Sequence, residues 1–474
     1  MIIKRINHLE GNNLNTKSWK KKLLPIAVIS SLSVAGIATA LFGTETEAKN
    51  NGSSNGKPKN IIFLIGDGMG VSYTSAYRYL KDNPETKIAE NTYFDPYLVG
   101  QQMTYPEDPA QNVTDSASAA TAMSAGIKTY NNAIAVDNDE TEVKTVLEAA
   151  KEKGKSTGLV ATSEITHATP AAFGSHDISR KNMNAIADDY FDEMINGKHK
   201  VDVLLGGGTD LFVRQDRDLT TEFKKAGYNY VTNRDDLLKN KDTQLLGLFA
   251  EAGMPKMIDR DKETPSLEEM TKTAIESLNK NKKGFFLMVE GSQIDWAGHD
   301  NDIVAAMSEM EDFEKAYKAA IDFAKKDKNT LVVATADHST GGFSIAANGD
   351  YNWYGEPIKA ATKTPDFMAE LITNGASVES TLKKYINLSL KSEEVQSVQK
   401  AAETKDLTSI DNAIEDIFNK RTNTGWTTGG HTGEDVPVYA YGPSSNLFAG
   451  QKDNTDHAKV IFDLLQAKVK ITDN

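Results

Sequence analysis

From Asn60 onward the chain alternates short unbroken apolar runs with longer stretches in which apolar residues recur at helical spacing. An unbroken run leaves neither side-chain direction for water, as in a strand covered on both faces of a mostly parallel sheet. Such runs predict strands over 61–65, 158–161, 201–205, 285–289, 331–335 and 436–441. Helices fall between them. Ser266 and Glu269 form a capping box ahead of a helix over 267–279, whose Leu267, Met270, Ala274 and Leu278 share one face. Ile303, Met307, Met310, Phe313, Tyr317 and Ile321 mark a second over 303–326, and each helix leads into a strand. The expected fold class is α/β, a mostly parallel central β-sheet flanked by helices on both faces. Residues 344–430 are less regular and rich in Asn, Thr and Ser, with helices expected over 365–373 and 407–419; they read as an insertion within one domain over 60–474.

Ahead of that domain, Lys17, Lys20, Lys21 and Lys22 precede an apolar stretch over 23–42 that carries Ala38-Thr39-Ala40 near its end. Residues 1–48 are expected to be a signal peptide removed on export, or an N-terminal anchor if uncleaved, and 49–59 (KNNGSSNGKPK) a flexible linker. The expected location is secreted or cell-surface, with a membrane as partner only if the segment stays on. Residues 1–48 hold six Lys and Arg against three Glu, so their removal takes the formal charge from −14 to −17. So acidic a body is a poor nucleic-acid binder and repels phosphorylated molecules at long range. A site that handles phosphate would need positive charge made locally. The chain has no Cys, which excludes disulfides and leaves His, Asp and Glu as metal ligands.

In open α/β sheets ligands gather beyond the carboxyl ends of the strands, and here those ends carry acids and imidazoles. Asp67 follows the first run within Gly66-Asp67-Gly68-Met69-Gly70, Glu290 follows the fourth, and Asp337-His338 follow the fifth. A lone strand-end Asp more often caps a helix or closes a turn; recurrence at three strand ends points to a ligand site. Asp295 and His299 lie four apart, so one helical turn presents both to a metal, or to solvent as a polar pair. His431 stands just before the last predicted strand, and three of only eight His thus sit in acid-rich turns. Carboxylates and imidazoles suit zinc, and hard oxygen donors suit magnesium.

After Asp115 an Ala-rich run predicts a helix with Ser116 near its N-terminus, where free N–H groups favour a phosphate; a plain N-cap role is the alternative. No Gly-x-Ser-x-Gly elbow surrounds Ser116, so a metal is the expected activator of its hydroxyl. Arg180 has the planar fork to grip two phosphate oxygens, or is a surface arginine.

Six ordered segments together resemble the alkaline phosphatase family, from about residue 59 to the end. They are residues 66–70 (GDGMG), 115–119 (DSASA) with 126–129 (GIKT), 167–172 (HATPAA), 289–295 (VEGSQID), 335–338 (TADH) and 431–433 (HTG). The resemblance implies an alkaline-phosphatase-like sheet and hydrolysis of small phosphate monoesters through a phosphoserine at Ser116. It implies two Zn2+ and one Mg2+ per subunit. Asp295, His299 and His431 would hold one zinc, and Asp67, Asp337 and His338 the other, beside Ser116. Asp67, Thr169 and Glu290 would contribute to the magnesium site. Arg180 would clamp the phosphoryl group, steadied by Asp115, and the assembly would be a homodimer. Two positions depart from the enteric bacterial pattern: His167 stands for an Asp and Trp296 for a Lys, both as modulators close to the magnesium and phosphate sites.

Rival readings stay open at this point. A phosphodiesterase, phosphoglycerate mutase or sulfatase shares the wider superfamily, although residues 115–119 lack the x-Pro-x-Arg that follows a sulfatase nucleophile. An exported metal- or phosphate-binding protein without turnover could use the same ligands, but it would have no need of a nucleophile at Ser116.

Overall fold

The computed structural model describes residues 56–467, so the predicted signal or anchor segment and most of the linker lie outside the described residues. Among the described residues no helix is long and apolar enough to cross a membrane. Ten strands make one large sheet: β1 (Asn60–Gly66), β2 (Leu98–Met103), β3 (Ser156–Glu164), β4 (Val203–Gly207), β5 (Asn229–Val231), β6 (Leu245–Leu248), β7 (Phe285–Gly291), β8 (Thr330–Ala336), β9 (Val436–Tyr441) and β10 (Gly450–Asp453). Their spatial order is β10-β2-β9-β8-β1-β7-β3-β4-β6-β5. β9 alone runs against its neighbours β8 and β2; every other pairing is parallel.

The unbroken apolar runs have the cause expected of them. In β1, Ile62 and Leu64 join the core on one face, while Ile61, Phe63 and Ile65 join the core on the other, and all five are buried. The long helix Ile303–Asp327 and the capped helix Leu267–Leu278 cover the first face. Ser116–Ala125, Ala168–Gly174 and Thr455–Leu465 cover the second.

The sheet is wider than the runs predict. β2 (LVGQQM) and β10 (GQKD) lie at the partly exposed edge and lack the apolar content that marks a central strand, while β5 and β6 have three and four residues. The strand 436–441 is therefore not the last, because β10 follows it. Residues 344–430 form five helices, among them Pro365–Thr373 and Leu407–Thr422, and their Ile358, Met368, Leu382, Val398 and Phe418 share the core of the first face.

Strands run parallel so that the turns after β1, β3, β7 and β8 open on one rim, and the turn after β1 packs closely against its neighbours. Gly68 there has φ +69°, and a Cβ on it would lie 2.8 Å from Asp295 Cα and 2.7 Å from Thr340 Oγ1. That close approach seats the Asp67 loop on the helix Gln293–Asp300. Gly68→Ala is expected to destabilise the fold by about 2 kcal/mol or more, through strain at positive φ and overpacking. Denaturant unfolding read by circular dichroism measures it, and wild-type stability in this variant would contradict the packing described.

Candidate active site

Most of the acids and imidazoles reach the rim by a short path from a buried strand. Asp67 directly follows β1, Glu290 is the penultimate residue of β7, and Asp337 and His338 follow β8. The helix Gln293–Asp300, entered directly from β7, carries Asp295 and His299 on one face. β3 leads to His167 and to Thr169 in the helix Ala168–Gly174. A two-residue ladder pairs Thr340 with His431 and so delivers His431 from far along the chain.

Ser116 opens its helix and is buried. Asp115 caps that helix by accepting from the Ser118 N–H at 2.9 Å. The Ser116 Oγ lies 3.3 Å from His338 Nε2. That nitrogen in turn lies 3.2 Å from Asp337 Oδ2 and 3.4 Å from Asp67 Oδ1. Arg180 comes alongside: Nη1 donates to Asp115 Oδ2 at 3.1 Å, and Nη2 donates to His167 Nε2 at 3.0 Å. The guanidinium is thereby aimed by two neighbours while three of its five N–H groups stay uncommitted to them.

The histidines are set up as donors to a cation. His299 Nδ1 lies 2.7 Å from the Gly429 carbonyl and His431 Nδ1 2.8 Å from the Thr114 carbonyl. A carbonyl only accepts, so each Nδ1 must carry a proton, and a neutral ring then presents a lone pair at Nε2. The two Nε2 atoms face each other at 3.1 Å, with Asp295 carboxylate oxygens 3.2 Å from His299 and 3.6 Å from His431. Two lone pairs at that distance repel unless a proton or a metal ion lies between them. The His338 ring stacks on His431 with centroids 3.5 Å apart.

Buried atoms without partners give the same answer. Both carboxylate oxygens of Asp67, Asp337 Oδ2, Glu290 Oε1, Thr169 Oγ1 and His167 Nδ1 are buried with no hydrogen-bond partner. Natural folds rarely leave such groups orphaned. Around Ser116, donor atoms within 4.8 Å of one another form three sets: Asp295, His338 and His431; Asp67, Asp337 and His338; and Asp67, His167 and Glu290. The donor chemistry fits metal ions, with nitrogen and carboxylate in each set.

Charge at the site is correspondingly frustrated. Burial, followed by Asp337, Asp295 and Glu290, pushes the Asp67 carboxyl well up, and burial pushes Glu290 up to about 7. Burial is the largest influence on Asp337 and works to raise it, but the charge and hydrogen bond of His338 together with the Gly68 N–H hold that carboxyl below its usual value. The hydrogen bond to Asp295 raises His299 to about 9, whereas burial and then His338 take His431 down to about 4.

All the residues singled out in the sequence converge here. His167 comes closer than a modulator's place would require: its ring joins the set of Asp67 and Glu290 and meets Trp296 edge-on at 5.8 Å. Burial, then Arg180, lowers its pKa to about 3, so it is neutral. Sequence reasoning missed Thr340, whose hydroxyl donates to Asp295 Oδ1 at 2.5 Å, and Ser292, which donates to Glu290 Oε2 at 2.7 Å. Both lie inside the quoted motifs or the turn after His338, the one signal that marked them.

The alkaline phosphatase family model matches residues 58–467. Alkaline phosphatase 3 of Bacillus subtilis is 72% identical over 460 residues, which cover 96% of this chain and 100% of that protein. Alkaline phosphatase 4 of the same bacterium is 57% identical over 451 residues, 95% and 98% of the two chains. Among solved structures, the cold-active alkaline phosphatase of Shewanella sp. superposes with a TM-score of 0.81 at 42% identity, covering 86% of this chain and 99% of that one. A histidine-to-aspartate mutant of the TAB5 alkaline phosphatase, with Mg bound in the M3 site, gives 0.64 at 33% identity, covering 87% and 99%.

His299 generates a pH prediction. Its folded pKa of about 9 lies above the ordinary 6.5, so the stability from its pairing with Asp295 is complete below about pH 6.5 and is lost as pH rises toward 9. Metal-stripped protein is expected to show this as a falling Tm between pH 6.5 and 9. Saturating Zn2+, which takes the imidazole in its neutral form, is expected to remove that part of the fall. An identical slope with and without Zn2+ would show that His299 does not meet the metal.

Proposed function

The chain belongs to the alkaline phosphatase family, and on that premise we propose that Ser116 is the nucleophile through which it hydrolyses phosphate monoesters. One observation carries the assignment. The Ser116 Oγ is at the start of a ten-residue helix, 3.3 Å from His338, among buried carboxylate and imidazole atoms that lack partners.

We propose two Zn2+ ions, one on Asp295, His299 and His431 and one on Asp67, Asp337 and His338, with Mg2+ at Asp67, Thr169 and Glu290. When bound, such ions supply the positive charge that ionises a serine hydroxyl and neutralises phosphoryl and leaving-group oxygens. His167 brings a nitrogen into the third set, where Mg2+ prefers oxygen, so Mg2+ binding there is weakened.

The chain's own groups then divide the work. Helix N–H groups at Ser116 and the Arg180 fork receive the phosphoryl oxygens, and Asp115 and His167 keep the guanidinium oriented. The Ser116 hydroxyl gives up its proton to solvent, and its oxygen forms the bond to phosphorus as the ester oxygen departs with the electron pair of the broken bond. That alkoxide takes a proton and leaves as the alcohol. Water then attacks the phosphoserine, the bond from phosphorus to the Ser116 oxygen breaks, a proton lost by that water restores the Ser116 hydroxyl, and phosphate is released. Contacts gather on the phosphoryl group, which supports broad selectivity among alcohols. A lysine-flanked apolar N-terminal segment with Ala38-Thr39-Ala40 near its end supports an exported, secreted or surface-held enzyme, and the family supports a homodimer.

Turnover of p-nitrophenyl phosphate by the wild type is expected to vanish with a chelator and return with Zn2+ and Mg2+. Ser116→Ala is expected to lower kcat by about 1000-fold or more and to abolish acid-trapped phosphoenzyme. Undiminished turnover in that variant would sink the assignment. His167→Asp is expected to lower the Mg2+ concentration that gives half-maximal activity by about tenfold, since an oxygen replaces a nitrogen donor; an unchanged or raised requirement would contradict the place given to His167.

A further inference from the structure

A second concentration of carboxyl groups lies where the helices of residues 344–430 meet the end of the His299-bearing helix. Asp300 ends the helix Gln293–Asp300, Asp302 caps Ile303–Asp327, Asp366 sits in the first turn of Pro365–Thr373, and Asp411 and Glu415 lie one turn apart on Leu407–Thr422. Asp300, Asp366 and Asp411 each offer an oxygen within 4.8 Å of the others. Asp302 spends Oδ1 on the N–H groups of Val304 at 2.7 Å and Ala305 at 3.0 Å.

What remains is unsatisfied. Asp302 Oδ2, Asp411 Oδ1 and Glu415 Oε1 are buried with no hydrogen-bond partner, on residues only 1%, 3% and 4% exposed. The cations that act on the group are Lys256 and His299, against five carboxyls. Burial, followed by mutual repulsion, pushes Asp411 up to about 9 and Glu415 to about 11. Protons or a cation must relieve the group, and it is separate from the sets of donors around Ser116.

We propose that Asp300, Asp366 and Asp411, backed by Asp302 and Glu415, bind a Ca2+ ion that ties the 344–430 helices to the catalytic body. The donors are all hard carboxylate oxygens with no nitrogen or sulfur, which disfavours zinc. Ca2+ accepts six to eight oxygens in flexible geometry, whereas Mg2+ keeps several waters and one or two carboxylates. Three to five carboxyls drawn from four separate helices match the former.

The test uses full-length holoenzyme already saturated with Zn2+ and Mg2+. Equilibrium dialysis with radioactive Ca2+ is expected to find one additional ion per chain, and added Ca2+ to raise the Tm by a few degrees. The double variant Asp411→Asn, Glu415→Gln removes charge without changing shape and lies away from Ser116. It is expected to keep wild-type phosphatase activity, to weaken Ca2+ binding at least tenfold and to lose the Ca2+-dependent rise in Tm. Equal Ca2+ binding, or an equal rise, in wild type and variant overturns the proposal. So does the absence of any additional bound Ca2+ in the wild type, the result expected if protons alone neutralise the group. Should the double variant fail to fold, Asp366→Asn at its half-buried position decides by the same dialysis, and wild-type affinity there overturns the site.

Discussion

The fold around Ser116 is organised by one electrostatic constraint: Asp67, Glu290, Asp295 and Asp337 are buried within reach of one another, and their oxygens outnumber the protein donors that could satisfy them. Burying an unpaired carboxylate is costly enough that such a group neutralises or finds a counter-ion. His338 answers part of the demand, and burial with its neighbours forces His431 to remain neutral. A protein carrying a formal charge of −14 has no general positive field to offer a phosphate. Concentrating acids where cations are held resolves both problems at once, because the cations that satisfy the carboxylates also attract the substrate.

The sheet makes that concentration possible. Parallel strands β1, β3, β7 and β8 are neighbours and end on the same side, so residues 67, 167, 290 and 337 meet although they are spread over most of the chain. Apolar packing on both faces holds the strand ends rigid. Short local devices finish the job: the positive-φ Gly68 seats one loop against Asp295, the Thr340–His431 ladder brings in the last histidine, and carbonyls of Thr114 and Gly429 set the imidazole tautomers. The same acidic economy recurs at Asp300, Asp366 and Asp411, where no serine, arginine or histidine ligand joins and only a structural cation is called for.

Much of this was legible before folding. The six central strands were readable because burial on both faces demands unbroken apolar runs, and the helices before β7 and β8 because one buried face imposes a helical period. β2, β5, β6 and β10 were not, since strands at or beside a partly exposed edge and strands of only three or four residues need or show no such pattern. Asp67, Glu290, Asp295, His299, Asp337, His338 and His431 declared themselves by recurring next to buried strands. Ser292 and Thr340 did not, because a hydroxyl within a turn has the same local pattern whether it orients a carboxylate or merely closes the turn.

The sequence by itself determined the α/β class, the positions of the acids and imidazoles along it, and Ser116 at a helix start, for these follow from local periodicity and from residue type. Only the tertiary structure decided which donors share a site, that His167 joins Asp67 and Glu290, that the Nε2 atoms of His299 and His431 face each other, and that Asp411 and Glu415 turn toward Asp300. Those relations depend on strand order and on the contacts of residues far apart in the chain, and no local preference encodes a distance of a few ångströms across a fold.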